Sequence, residues 1–152
     1  MPYWRQHFHI VWATYERQPF LMPDIETDVY RVVAALCEQQ GGRALAVNGM
    51  PDHLHVVTMI PPSLSTASFV KNLKGTSSRF VKREFRRPFR RPFRWQAGYG
   101  VFTISQRNVP RAVMYVRQQK QHHAMGTTIE AYERYSADTA VPAGSWSDVP
   151  DD

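Results

Sequence analysis

A single cysteine, Cys37, among 152 residues rules out an internal disulfide. It falls in a stretch of helical periodicity, where a thiol packs as a small hydrophobe. No run approaches the roughly 18 apolar residues that a membrane span needs. The opening Met1-Pro2-Tyr3-Trp4-Arg5 carries no apolar signal core. A cytoplasmic protein that meets no membrane is therefore expected, and the length is that of one domain. Acids are scarce in one segment above all. Between Lys71 and Arg94 a single acid, Glu84, stands against ten basic residues, a local charge of +9, while the rest of the chain holds nine basic and twelve acidic residues. The net charge of +6 is thus the property of one block. Such a cationic block is the footprint of a polyanion, and nucleic acid fits it better than a membrane surface.

Punctuation and periodicity divide the chain into alternating elements. Tyr3 to Tyr15, rich in aromatic and β-branched residues, reads as a strand. A helix is expected from Asp24, a possible cap, to Gln40, with Ile25, Val29, Val32, Val33 and Leu36 at helical spacing and Gly41-Gly42 as its stop. Arg43–Asn48 and His53–Ile60 read as a hairpin turning at Gly49. A second helix is expected from Ser63 or Ser65 to Phe85, with Phe69, Val70, Leu73, Phe80 and Val81 inward. The tandem Phe-Arg-Arg-Pro repeat of residues 85–93 cannot continue it, because proline lacks the helical N–H. Arginine interleaved with phenylalanine suits phosphates and stacked bases. Trp95 to Ser105 leads into another strand, and a third helix is expected from Pro110 to Met125. Residues 127–135 form a further short helical stretch, and the Pro/Ala/Ser/Asp-rich end is expected to fray. The order β-α-β-β-α-β is the ferredoxin-like plan, an α+β fold with an antiparallel sheet and helices on one face, plus an additional C-terminal helix.

Two motifs carry chemistry. His53 and His55 are two apart, so a strand points both to one face, where a pair of imidazoles can hold a divalent metal. A second pair, His7 and His9, competes, and one of them lines the same site if the two strands are neighbours. On the third helix Tyr115, Gln119 and His122 fall at i, i+4 and i+7, on one polar face. A phenol, with pKa of about 10, becomes a nucleophile only when a metal or base helps remove its proton. Combined with a histidine pair and a cationic block, it suggests attack on a phosphate diester, leaving a covalent phosphotyrosine.

With these residues in place the chain resembles the single-tyrosine HUH transposases of small bacterial insertion sequences, the IS200-like and REP-associated tyrosine transposases, over residues 3–124. The resemblance rests on Asn48-Gly-Met-Pro-Asp-His53-Leu-His55, Leu73-Lys-Gly-Thr-Ser-Ser78, Trp95-Gln96-Ala-Gly98-Tyr99-Gly100 and Tyr115-x-x-x-Gln119. Residues 1–125 are then expected to be the catalytic domain; residues 126–152 depart from the family pattern and are expected to be a partly flexible extension that does not touch the catalytic set. The resemblance further implies that His53, His55 and Gln119 bind Mg²⁺ or Mn²⁺, and that Tyr115 attaches to the 5′ side of cleaved single-stranded DNA near hairpin-containing ends. A homodimer is implied as well, with the tyrosine helix of one subunit meeting the histidine pair of the other, although some related members act as monomers. Lys71, Lys74, Arg79, Lys82, Arg83, Arg86 and Arg87 are then candidate DNA contacts, chosen by charge. The competing reading is a domesticated or inactive single-stranded nucleic-acid-binding protein of the same fold.

Overall fold

The computed structural model describes residues 2–85 and 92–135. Arg86, Arg87 and most of the Phe-Arg-Arg-Pro repeat, and the end of the expected C-terminal extension, lie outside the described residues. Four strands, β1 (His7–Ala13), β2 (Arg43–Met50), β3 (His53–Met59) and β4 (Gly100–Ile104), form one antiparallel sheet in the order β2-β3-β1-β4. Helices α1 (Pro23–Gln39) and α2 (Thr66–Glu84) complete the expected ferredoxin-like arrangement. Among the described residues no helix is long and apolar enough to cross a membrane.

The alternation of the strands creates two faces with different contents. Ile10, Trp12, Leu54 and Val56 point to one side, where they pack with Ile25, Val29 and Val33 of α1 and Phe69, Val70, Leu73 and Val81 of α2. Phe93 and Trp95 close this core, and the Trp95 indole N–H donates to the Ser77 hydroxyl at 3.0 Å. The residues between them in the strands face the other way. There Ala46, Val57 and Ile104 pack on Ala112, Tyr115 and Val116 of α3 (Val109–Arg117). The first two helices therefore share one face, and the tyrosine helix covers the opposite one.

Three expectations are corrected by local physics. The hairpin turns at Pro51-Asp52, not at Gly49, which pairs with Leu54 inside the ladder. A Cβ at Gly49 would overlap the His53 carbonyl oxygen, so the glycine serves close strand approach rather than turning. Asp24 does not cap α1, which starts at Pro23 after Met22 with no side-chain cap. Ser65 does cap α2, accepting from the Ser68 N–H at 3.1 Å. The third helix is two: α3 ends at Arg117 and α4 (Gln119–Met125) follows after Gln118, whose φ of −99° and ψ of 20° break the helical run. Gly126, at φ +67°, closes α4 in a left-handed conformation that glycine adopts without a Cβ penalty.

Candidate active site

The period-2 rule places His53 and His55 of β3 on the α3 face of the sheet, beside Val57. Antiparallel pairing brings β1 alongside, and His9 reaches the same place: its Nε2 lies 2.8 Å from His55 Nδ1. His9 thus joins the site, as expected for one histidine of the first pair if the strands were neighbours. From above, α3 delivers Tyr115 and the start of α4 delivers Gln119; both are buried, Tyr115 at 5% and Gln119 at 0% exposure. The Tyr115 and His55 ring centroids are 6.1 Å apart. Two distant parts of the sequence therefore meet on one face. His122 also belongs here, stacked on the Tyr115 ring at 4.7 Å between centroids.

The centre of the site is a residue with no place in the sequence-derived set. Glu133 lies in a short 3-10 turn, Glu130–Glu133, and overturns the expectation that the segment after Gly126 stays clear of the catalytic set. Its Oε2 is 3.0 Å from His55 Nε2 and 3.2 Å from His53 Nε2. Its Oε1 accepts the Tyr115 hydroxyl at 2.6 Å and the Gln119 amide at 3.4 Å. His123 Nε2 is 3.5 Å from the same oxygen and 3.1 Å from Gln119 Oε1. Behind the pair, Asp52 Oδ1 accepts from His53 Nδ1 at 2.7 Å while Asp52 Oδ2 takes the Arg17 guanidinium at 3.0 Å.

This geometry sets the protonation of the groups. Burial alone would lift the Glu133 carboxyl, but the imidazoles of His53 and His55 and the Tyr115 hydroxyl hold it far below the ordinary carboxylate range. Burial raises the Tyr115 phenol well above its usual value, and the Glu133 charge raises it further, so the hydroxyl keeps its proton at neutral pH. Burial would lower His53, but Asp52 and Glu133 outweigh it and raise its proton affinity. His55 and His9 are lowered, each chiefly by burial. Asp52 is brought to about 2, because the His53 and Arg17 contacts outweigh its desolvation.

His53, His55, His123 and Glu133 offer ligand atoms within 4.8 Å of one another. His53 Nε2 is buried and faces this cluster, where it makes an ion-pair contact with Glu133 Oε2 rather than an aligned hydrogen bond. Two or three imidazoles with one hard oxygen are a donor set that fits a divalent cation. Asp52 on His53 Nδ1 is the outer contact that fixes which imidazole nitrogen faces the cluster. Sequence reasoning missed Asp52, His123 and Glu133. Asp52 is adjacent to His53, and His123 follows Gln119 by four residues, so both were within reach of spacing arguments. Nothing local marks Glu133.

The candidate DNA contacts lie elsewhere. Lys71, Lys74, Arg79, Lys82 and Arg83 belong to α2, on the far face of the sheet from Tyr115. Lys71, Arg79, Lys82 and Arg83 are exposed. Lys74 is not: its ammonium donates to the carbonyls of Gln96 and Gly98 at 2.7 and 2.8 Å, and burial lowers its pKa. It pins the 96–98 loop to α2.

The sequence model of the family described as "Transposase IS200 like" matches residues 2–119. The transposase for insertion sequence element IS200 of Salmonella typhimurium is 30% identical over 126 residues, covering 81% of this chain and 82% of that protein. The ISDra2 transposase TnpA of Deinococcus radiodurans is 24% identical over 115 residues, 74% of this chain and 82% of that one. A crystal structure of a candidate transposase from Deinococcus radiodurans superposes with a TM-score of 0.62 at 25% identity, covering 84% of this chain and 95% of the other. The structure of a REP-associated tyrosine transposase bound to a REP hairpin superposes with a TM-score of 0.58 at 12% identity, covering 84% and 76%, which speaks to the fold alone.

Proposed function

Because this chain belongs to the family of IS200-like transposases, we propose that it cleaves and rejoins single-stranded DNA with Tyr115 as the nucleophile. The observation that supports this most is the convergence of Tyr115 and Gln119 with His53 and His55 on one sheet face. The phenol oxygen forms a bond to phosphorus while the bond from phosphorus to the 3′ oxygen breaks. The phenol gives up one proton and the departing oxygen takes one. The products are a 5′-phosphotyrosine and a free 3′ hydroxyl. The diester energy is kept in the phosphotyrosine, so another 3′ hydroxyl can reverse the step without ATP.

His53 and His55, with Gln119 as third group, are the residues that would hold Mg²⁺ or Mn²⁺. When bound, the cation stabilises charge developing on the phosphate oxygens. Imidazole donors are softer than the all-oxygen set that Mg²⁺ prefers, which favours Mn²⁺ of the two. His9 holds the His55 ring from behind and Asp52 holds His53, so both imidazoles are oriented before substrate arrives.

DNA binding is assigned to the exposed cations Lys71, Arg79, Lys82 and Arg83, and to the groove between α2 and the 94–99 loop, where Arg94, Trp95 and Tyr99 join Lys71. Arg86 and Arg87 are retained on charge. The relative bound to a REP hairpin supports a hairpin as the form of the substrate. The homodimer is kept as a proposal too; within this chain the Tyr115 and His55 ring centroids are 6.1 Å apart. The test is a labelled single-stranded hairpin from beside the gene, incubated with protein and Mn²⁺ or EDTA and run on a denaturing gel. A metal-dependent, protease-sensitive adduct lost in Tyr115→Phe is expected. Binding without any adduct would instead make the chain a single-stranded DNA-binding protein of this fold.

A further inference from the structure

We propose that Lys120 is a positioning residue: it locks the joint between α3 and α4 to the hairpin that carries His53 and His55, and so holds Gln119 over the two imidazoles. This rests on the reading of Gln119 as the third metal-facing group. The starting point is a weak point in the tyrosine helix. Tyr115 and Gln119 have the spacing of one helix face, yet they stand on two helices. Gln118 between them departs from helical geometry, at φ −99° and ψ 20°. Its N–H closes back on the Met114 carbonyl at 3.0 Å, and the next helical run begins with the His122 N–H on the Gln118 carbonyl at 2.9 Å. Helix ends leave carbonyls and N–H groups without partners inside the helix, so such a break is a joint that needs a hold from outside.

That hold is built on Asn48-Gly49, the part of the histidine motif to which the chemistry gives no task. Asn48 Nδ2 donates to the carbonyl of Arg117, the last residue of α3, at 3.0 Å. Lys120, the second residue of α4, reaches back to the same place. Its ammonium donates to the Gly49 carbonyl at 2.9 Å and to Asn48 Oδ1 at 3.3 Å, and pairs with Glu26 Oε2 of α1 at 3.0 Å. A lysine ammonium has three N–H donors, and each finds an acceptor here. The Asn48 amide is fixed in turn, because its oxygen also accepts the Gly49 N–H at 2.9 Å. Tyr30 completes the socket. Its hydroxyl donates to Glu26 Oε2 at 3.1 Å, and its ring centroid lies 5.7 Å from the ammonium.

Strand register connects this latch to the site. Asn48 is the cross-strand partner of His55, and Gly49 that of Leu54, so the latch grips β2 directly beside the strand that carries the histidines. Neighbouring residues of a helix point about 100° apart. The Lys120 ammonium can therefore hold α4 from outside while the Gln119 amide, fully buried, points into the cluster, its oxygen 3.1 Å from His123 Nε2. Stability is not what the arrangement serves best. The Lys120 side chain is 49% exposed, and an ion pair open to water to that extent adds little to folding. Nor is Lys120 a cation left open for phosphate, since all three of its donors are engaged. What the contacts supply is geometry: they tie the end of α3, the start of α4, β2 and α1 to one ammonium and one amide.

The experiment compares the wild-type chain with Lys120→Met, which keeps the stem and removes the donors, with Lys120→Arg, which keeps charge and donors, and with Gln119→Ala. Three quantities are read: hydrogen exchange at the Gln118 and His122 amides, affinity for Mn²⁺ by calorimetry, and the urea midpoint, alongside the adduct assay at limiting and saturating Mn²⁺. Lys120→Met should exchange both amides faster and bind Mn²⁺ about tenfold more weakly, the low end of the effect of removing a group that orients a metal ligand. Its adduct formation should slow at limiting Mn²⁺ and recover at saturating Mn²⁺, and Lys120→Arg should stay close to the wild type throughout. If Lys120→Met lowers the urea midpoint and leaves Mn²⁺ affinity unchanged while Gln119→Ala weakens it, Lys120 is only a stabilising contact and the proposal is overturned. It is overturned equally if neither amide exchanges faster. If Gln119→Ala binds Mn²⁺ as tightly as the wild type while both amides of Lys120→Met exchange faster, the metal role of Gln119 fails and the lock on the joint stands. If no protein forms adduct while exchange and Mn²⁺ affinity shift as expected, the nucleophile assignment fails and the positioning role stands. Should Lys120→Met not fold, Glu26→Gln replaces it, loosening the socket from the α1 side with the same expected results.

Discussion

Replacing Tyr115 by phenylalanine removes one oxygen atom and two hydrogen bonds, and its consequences can be worked through. The hydroxyl donates to Glu133 at 2.6 Å and accepts from the Ile129 N–H at 2.9 Å. A hydrogen bond to a charged group is worth about 1.5–3 kcal/mol and a neutral one about 1 kcal/mol. The packing of residues 129–133 against Tyr115 therefore loses roughly 2–4 kcal/mol relative to their open state, a shift of roughly 30-fold to 1,000-fold in that equilibrium. The ring itself stays packed among Ala46, Val57, Ile104 and Val116, so the fold is retained. The variant should form no covalent adduct with a labelled hairpin, bind single-stranded DNA at least as tightly as the wild type, and lose protection of the Ile129 amide in hydrogen exchange. The denaturing gel, fluorescence anisotropy and exchange each read one of these. An adduct in the variant would place the nucleophile elsewhere. Unchanged protection at Ile129 would refute the account of the two hydrogen bonds.

Mn²⁺ affinity should weaken as pH falls, because protonated imidazole cannot ligate and the Asp52 and Glu133 charges raise the proton affinity of His53, so competition begins above the ordinary value of about 6.5. Calorimetric titrations from neutral to mildly acidic pH check this, and a flat profile counts against imidazole ligation. Asp52→Ala should weaken Mn²⁺ binding by roughly tenfold to 100-fold through loss of the His53 contact. The same variant tests linkage: the Asp52 carboxyl sits at about 2, below its unfolded value, so its stabilising contribution is present above that unfolded value, near 4, and is lost as pH falls towards 2. Its effect on urea unfolding, about 2 kcal/mol near pH 6, should vanish at the acid end. Lys74→Ala should lower stability by about 1.5–3 kcal/mol through two unpaired carbonyls and leave the salt slope of DNA binding unchanged. Lys71→Ala or Lys82→Ala should each reduce that slope by about one unit if it touches phosphate.

Much of this protein is local and was therefore readable from the chain. Strand alternation put His53 and His55 on one face, helical spacing put Tyr115 and Gln119 on another, and the order of elements pointed to a ferredoxin-like antiparallel sheet, while the place of β1 between β3 and β4 came from the structure. The cationic block was legible because charge is additive along a sequence. What the sequence could not reveal depended on which distant groups meet. Lys74 has the same side chain as Lys71, and only the loop packed above it turns one into a structural clip while the other faces solvent. Gly49 reads as a turn residue, yet strand register makes it a point of close approach. Glu133 is one acid in an unremarkable stretch. It becomes the centre of the site because the chain reverses at Gly126 and lays its next residues over Gly100, where burial among imidazoles and a phenol gives an ordinary carboxylate an environment that no sequence spacing encodes.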